Sequence, residues 1–215
     1  MSLEMKANHH RAYCWGLVVG YNEQEETYTV RHPFVDHTYT VRYDAIGHAD
    51  PVEWFNVRIF EPHPEPDARK MHHKALRMAV KSSTDDGKGK TTHGLAAYTV
   101  WRNAFASPDV PLEPSRHHAD MLKQRRESAS AYVRELATVF PEAADPLSTA
   151  AAHYDRELES LNPLYDLLAA ARKHKKITSE ERAEAARLVG EAMEAERNAV
   201  ADIEVALEML PEDGQ

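Results

Sequence analysis

Two sets of residues in this 215-residue chain have types and positions that chemistry could use. The first is Cys14 with His32. A histidine close to a thiol can take its proton and leave a thiolate nucleophile, the basis of cysteine-dependent acyl transfer and peptide hydrolysis. If the chain turns near Glu23 or Gln24, the residue facing Cys14 falls close to His32, and a slip of one residue would part them. The interior of a strand supplies neither a helix N-terminus nor the positive charge that usually activates a thiol. A lone cysteine more often serves as a small apolar core residue. The second set is Glu196 with Arg125 or Arg126. Glu196 interrupts an otherwise apolar helical stripe, where an unpartnered carboxylate would be costly. Either arginine, about one turn from Leu122 and Ala129, could pair with it. Such a pair either lines a ligand cavity or is purely structural.

The thirteen histidines include the pairs His9-His10, His72-His73 and His117-His118. None has the spacing of two ligands four residues apart on a helix with a carboxylate between them. No metal site and no cofactor are expected, and the histidines read as surface residues.

The elements that would position these residues fall into two halves. Ala12 to Tyr21 is an apolar run long enough for a buried strand, and Asn22 to Glu26 supplies a polar turn. Thr27 to His32 alternates, with Tyr28 and Val30 on one face and Thr29 and Arg31 on the other. A third strand places Tyr39, Val41 and Tyr43 inward, and a fourth is expected from Trp54 to Phe60. Short strands joined by short turns predict an antiparallel sheet of about four strands over residues 9–62. Pro62, Pro64 and Pro66 then mark a stiff boundary.

Residues 63–215 read as helix. Asp67 can cap a helix to about Ser82 with Ala68, Met71, Ala75, Met78 and Ala79 on its apolar face. Ser83 to Lys90 reads as a loop. Gly94 to Phe105 carries a stripe of Leu95, Tyr98, Trp101 and Phe105, expected to pack on the sheet. Three long helices follow. Ser115 to Phe140 aligns Leu122, Ala129, Tyr132, Leu136 and Val139, and Pro141 stops it. The next begins at Asp145 and aligns Ala151, Tyr154, Leu158, Leu161, Leu164 and Leu168, with Pro163 predicting a kink near Ser160. The last, Ser179 to Met209, opens with Thr178 and Glu181 spaced as a capping box. Its stripe is Val189, Met193, Glu196, Val200, Ile203, Leu207 and Leu210. Long helices on short connections predict an antiparallel bundle. The fold class is therefore α+β: a small antiparallel sheet covered by two helices, followed by three long helices.

A hydrophobic content of 42% with 28% charged residues is that of a globular protein. The net charge of −9 argues against a nucleic-acid partner. No apolar run approaches a membrane span, no secretion signal is evident at Met1, and the single cysteine excludes an internal disulfide. A cytoplasmic location is expected.

The hairpin resembles the second half of papain-like cysteine peptidases of the bacteriocin-processing type and of the related butirosin-biosynthesis acyltransferase family. Leu17, Val18, Val19, Gly20 and Tyr21 match an apolar run ending in Gly-Tyr, and Val30 with Pro33 matches the returning strand. Gly94, Leu95, Ala97, Tyr98 and Trp101 look like the helix that follows in such chains, and the three-helix tail resembles theirs. In that family the first strand begins with the catalytic histidine and the second ends in Asp-Pro. Cys14 and His32 stand at those places here. The family's nucleophile precedes its histidine on a helix N-terminus, for which the thirteen residues before Cys14 leave no room. The resemblance thus implies a non-catalytic relative that acts as a binding or scaffold protein for a peptide or small molecule. Trp15 and Tyr28 in the sheet, and Arg125 and Glu196 in the helical half, are the candidate ligand contacts. Two alternatives stand beside it. One is a cysteine hydrolase or acyltransferase using Cys14 and His32, or using a catalytic half on a separate chain. The other is a helical oligomerisation protein forming a homodimer.

Overall fold

The computed structural model describes residues 17–31, 37–45, 67–85, 87 and 91–210. The chain divides into two compact units, Met1–His63 and Pro64–Gln215. Cys14, Trp15, His32 and the expected strand from Trp54 to Phe60 lie outside the described residues.

The first unit contains a three-stranded antiparallel sheet in the order β1 (Leu17–Asn22), β2 (Thr27–Arg31), β3 (Thr38–Arg42). The side chain of Asn22 makes the first turn by accepting the backbone N–H groups of Gln24 and Glu25, the local bonding that favours asparagine in turns. Leu17 faces Arg31 and Val18 faces Val30, whereas Gly20 faces Thr29, so a bulge at Val19 shifts the register by one. Tyr28 lies opposite Val41 and Val30 opposite Tyr39, which gathers the apolar face read from the alternation. Val30 and Val41 are buried. β1 departs from its reading as a buried strand, for Leu17, Val18 and Val19 are 50–56% exposed. The described sheet gives it a neighbour on one side only, and apolarity without a covering layer does not bury a strand.

The second unit is built from α1 (Ala68–Thr84), α2 (Gly94–Ala104), α3 (Leu112–Val139), α4 (Ala144–His174) and α5 (Ser179–Met209). The Asp67 side chain caps α1 by accepting from Lys70 N–H. α5 opens with the full capping box, Thr178 accepting from Glu181 N–H and Glu181 accepting from Thr178 N–H. α3 and α4 run in opposite directions, because Glu113 pairs with Arg172, Arg116 with Tyr165 and Ser130 with Asp155. α4 and α5 are joined only by Lys175–Thr178 and pack along each other. The aromatic stripe of α2, expected on the sheet, instead fills the helical core: Tyr98 and Phe105 are buried with Leu161, Leu164, Val189 and Met193.

Three apolar stripes differ from their sequence reading. On α1 the buried residues are His73, Leu76 and Ser83, while Met71 and Met78 are about half exposed. On α3 they are Ser115, Ala119, Ser130, Val133 and Leu136, one residue round from Ala129 and Tyr132. Ser130 can turn inward because its hydroxyl donates to Ala151 O and Asp155, and Tyr132 turns toward α1 to bond His72 at 2.8 Å. On α4 it is Glu157, not Leu158, that is fully buried.

Candidate functional site

The core of the helical unit is not continuous. One apolar cluster takes Ala119 from α3, Leu161 to Ala171 from α4 and Ala185 to Met193 from α5. A second takes Val133 and Leu136 from α3, Leu147 to Tyr154 from α4 and Ala199 to Leu210 from α5. Between them each long helix contributes one charged residue: Arg126, Glu157 and Glu196. These form a polar layer across the core.

Helix geometry explains the selection. Ala119, Leu122, Arg126, Ser130 and Val133 follow the three-and-four spacing of one face, so Arg126 points inward and Arg125 is exposed. Glu157 lies three residues after Tyr154, and Glu196 three after Met193, on the same faces. Arg126 Nε is 2.9 Å from Glu157 Oε2 and 3.0 Å from Glu196 Oε2. α2 adds Tyr98, whose hydroxyl donates to Glu157 Oε1 and accepts from Arg126 Nη2 at 3.4 Å. α1 adds Ser83, whose hydroxyl donates to Glu196 Oε1 at 3.1 Å. The Arg126 guanidinium also stands 5.4 Å from the centre of the Tyr154 ring.

Gly94 makes this convergence possible. It takes φ of +55°, and a Cβ there would lie 2.1 Å from the Ser83 carbonyl oxygen. Only glycine lets the start of α2 sit on the last turn of α1, which brings Tyr98 and Ser83 to the same layer.

The two carboxyls of the layer are buried, while Arg126 keeps 17% of its side chain exposed. Glu157 is 0% and Glu196 5% exposed. Burial, reinforced by Glu157, raises the Tyr98 hydroxyl well above its ordinary value. Burial opposes the charge on Arg126, but Glu196, Tyr98 and Glu157 outweigh it and hold the guanidinium ionised. With both carboxyls buried, what the cluster does in this structure is tie five helices together at one level.

The accessible concavity lies elsewhere, along α5. A groove of about 770 Å³ is lined by Arg102, His153, Arg156 and Arg187 and by the carboxylates Glu159, Glu191 and Glu194, over a floor that includes Ala183, Ala186 and Gly190. A second, of about 450 Å³, shares Arg102, Ala183 and Ala186 and continues to Ser179 and Arg182. At 1.5 Å rise per residue, Ser179 to Asn198 spans about 28 Å of α5. Arg102 lies against Gly190 and makes no ion pair among the described residues. His153 Nε2 faces the Asp202 carboxylate at 3.4 Å and its Nδ1 faces Arg156 at 3.4 Å.

Of the candidate residues that lie among the described ones, the structure brings Glu196 and Arg126 into one cluster. Arg126, rather than Arg125, is the partner of Glu196. Tyr28 is half-buried on β2 with its ring 4.4 Å from that of Tyr43. Sequence reasoning missed Glu157, since the apolar Leu158 offers an equally good helical position. Glu157 at three residues from Tyr154 was the signal. Among the described residues no group of three or more His, Cys, Asp or Glu could hold a metal ion, and no helix is long and apolar enough to cross a membrane. Comparison with protein-family models, curated proteins and solved structures gave no match to this chain.

Proposed function

We propose that this chain is a non-catalytic binding or scaffold protein, a degenerate relative of papain-like cysteine peptidases, that holds a peptide or small molecule bearing a carboxylate. In this reading the three long helices form an antiparallel bundle whose outer face is the trench along α5. A sheet of about four strands completes the fold. One observation carries the reading: the guanidinium of Arg102 lies against Gly190 in that trench with no carboxylate partner among the described residues. The chain has 35 acidic against 26 basic residues, so an uncommitted guanidinium in a concave site is where an external carboxylate gains most. Arg156 lines the same groove, with its Nη1 3.4 Å from His153 Nδ1.

The test compares one short peptide with a free C-terminus and its C-terminal amide, followed by the backbone amide signals of residues 183–198. The free acid should give saturable shifts there, the amide weaker ones, and Arg102→Ala should abolish the difference. Equal responses to acid and amide, or none in this segment, would reject the trench as a carboxylate site.

A further inference from the structure

One oxygen of the polar layer, Glu196 Oε2, lacks a hydrogen. Arg126 Nε carries one N–H, and its hydrogen is directed to Glu157 Oε2. Glu196 Oε2 lies 3.0 Å from the same nitrogen and is buried without a hydrogen-bond partner. The Tyr98 hydroxyl is committed to Glu157 Oε1 and the Ser83 hydroxyl to Glu196 Oε1. With both carboxyls ionised, one guanidinium would face two buried negative charges. That is a costly arrangement. The Oε2 atoms of Glu157 and Glu196 converge on one nitrogen, lying 2.9 and 3.0 Å from Arg126 Nε. A single proton on one of them supplies the missing O–H and cancels the excess charge.

We propose that the layer binds one proton between Glu157 and Glu196, and that this proton is a latch closing α4 on α5 beside Arg126. The groups that face Glu157 come from every packed element. They are Tyr98 from α2, Arg126 from α3, Tyr154 from α4 itself and Glu196 from α5, with Ser83 of α1 reaching the site through Glu196. Burial pushes the Glu157 carboxyl up to about 8, with Arg126 opposing and Glu196 adding to the rise. An unfolded glutamate releases its proton near about 4.3. The stabilisation is therefore complete below that value and is lost as pH rises through about 8.

The experiment is urea unfolding of the full chain between pH 5 and pH 9, beside Glu157→Gln. The amide keeps the shape and a donor but cannot release a proton. Relative to the variant, the wild-type unfolding constant should rise roughly tenfold per pH unit up to about pH 8 and then level off. Parallel pH profiles for the two chains would overturn the latch. Should Glu157→Gln not fold, infrared spectroscopy of the unaltered chain decides alone. A protonated-carboxyl stretch at pH 7 that disappears by pH 9 supports the proposal, and its absence at pH 7 refutes it.

Discussion

Leu17, Val18 and Val19 on β1 and Leu161, Leu164 and Leu168 on α4 are equally apolar, and they end in opposite surroundings. The first three are 50–56% exposed and the second three are fully buried. The α4 leucines belong to one cluster that also draws on α2, α3 and α5, whereas the described β1 has one neighbour. Burial is thus decided by how many elements converge on a residue. The same contrast holds for charge. Glu191 on the wet side of α5 pairs with Arg187 four residues before it, an exposed i,i+4 pair of small consequence. Glu196, little more than a turn further on, is where five helices meet.

Substitutions can break or sharpen that contrast. The largest effect is expected from Arg126→Met, which keeps apolar volume but leaves Glu157 and Glu196 facing each other without a cation. Removing one partner of a buried ion cluster costs about 3–5 kcal/mol, to be read from the urea midpoint at pH 8. A loss under 1 kcal/mol would mean that the layer is wet in solution. Next comes the apolar pair. Leu164→Ala should cost about 2–5 kcal/mol through the cavity left behind, while Val18→Ala on the exposed β1 should change stability by no more than about 0.5 kcal/mol. Comparable losses from the two would show that β1 is covered in the folded chain. Between the members of that pair falls Thr178→Ala, which removes one side of the capping box and should cost about 1 kcal/mol. Its mark in hydrogen exchange should be confined to the first turn of α5.

Much of the helical unit was legible in the sequence. Thr178 and Glu181 gave the start of α5, Asp67 the start of α1, and the bounds Ser179 and Met209 coincide with the observed helix. These signals are local, and a cap needs only residues three apart. The faces were harder to read. A repeat of 3.6 cannot by itself choose between Glu157 and Leu158 after Tyr154, or between Ser130 and Ala129 on α3. In both cases a polar residue won because another helix supplied its partner, a fact that no single-helix pattern contains. The methionine stripe of α1 failed for the same reason, since His73, Leu76 and Ser83 offered a competing face and α5 packed on that one. Of the candidate site, Glu196 was visible as a carboxylate among apolar residues. Tyr98 and Ser83 were not, because their place in the layer depends on the close approach that Gly94 permits.

That approach also has a consequence in time. The contacts along α4 and α5 join neighbouring helices through a short loop, so they can form early and at little loop-closure cost. The bond between Ser83 and Glu196 spans 113 residues of chain. It closes only when the first and last helices of the unit have both arrived, so the polar layer is a late step in assembly. Interactions made after the folding transition state slow unfolding more than they speed folding. The carboxylate that interrupts the last apolar stripe would therefore lengthen the lifetime of the finished unit while leaving the rate of its making almost untouched.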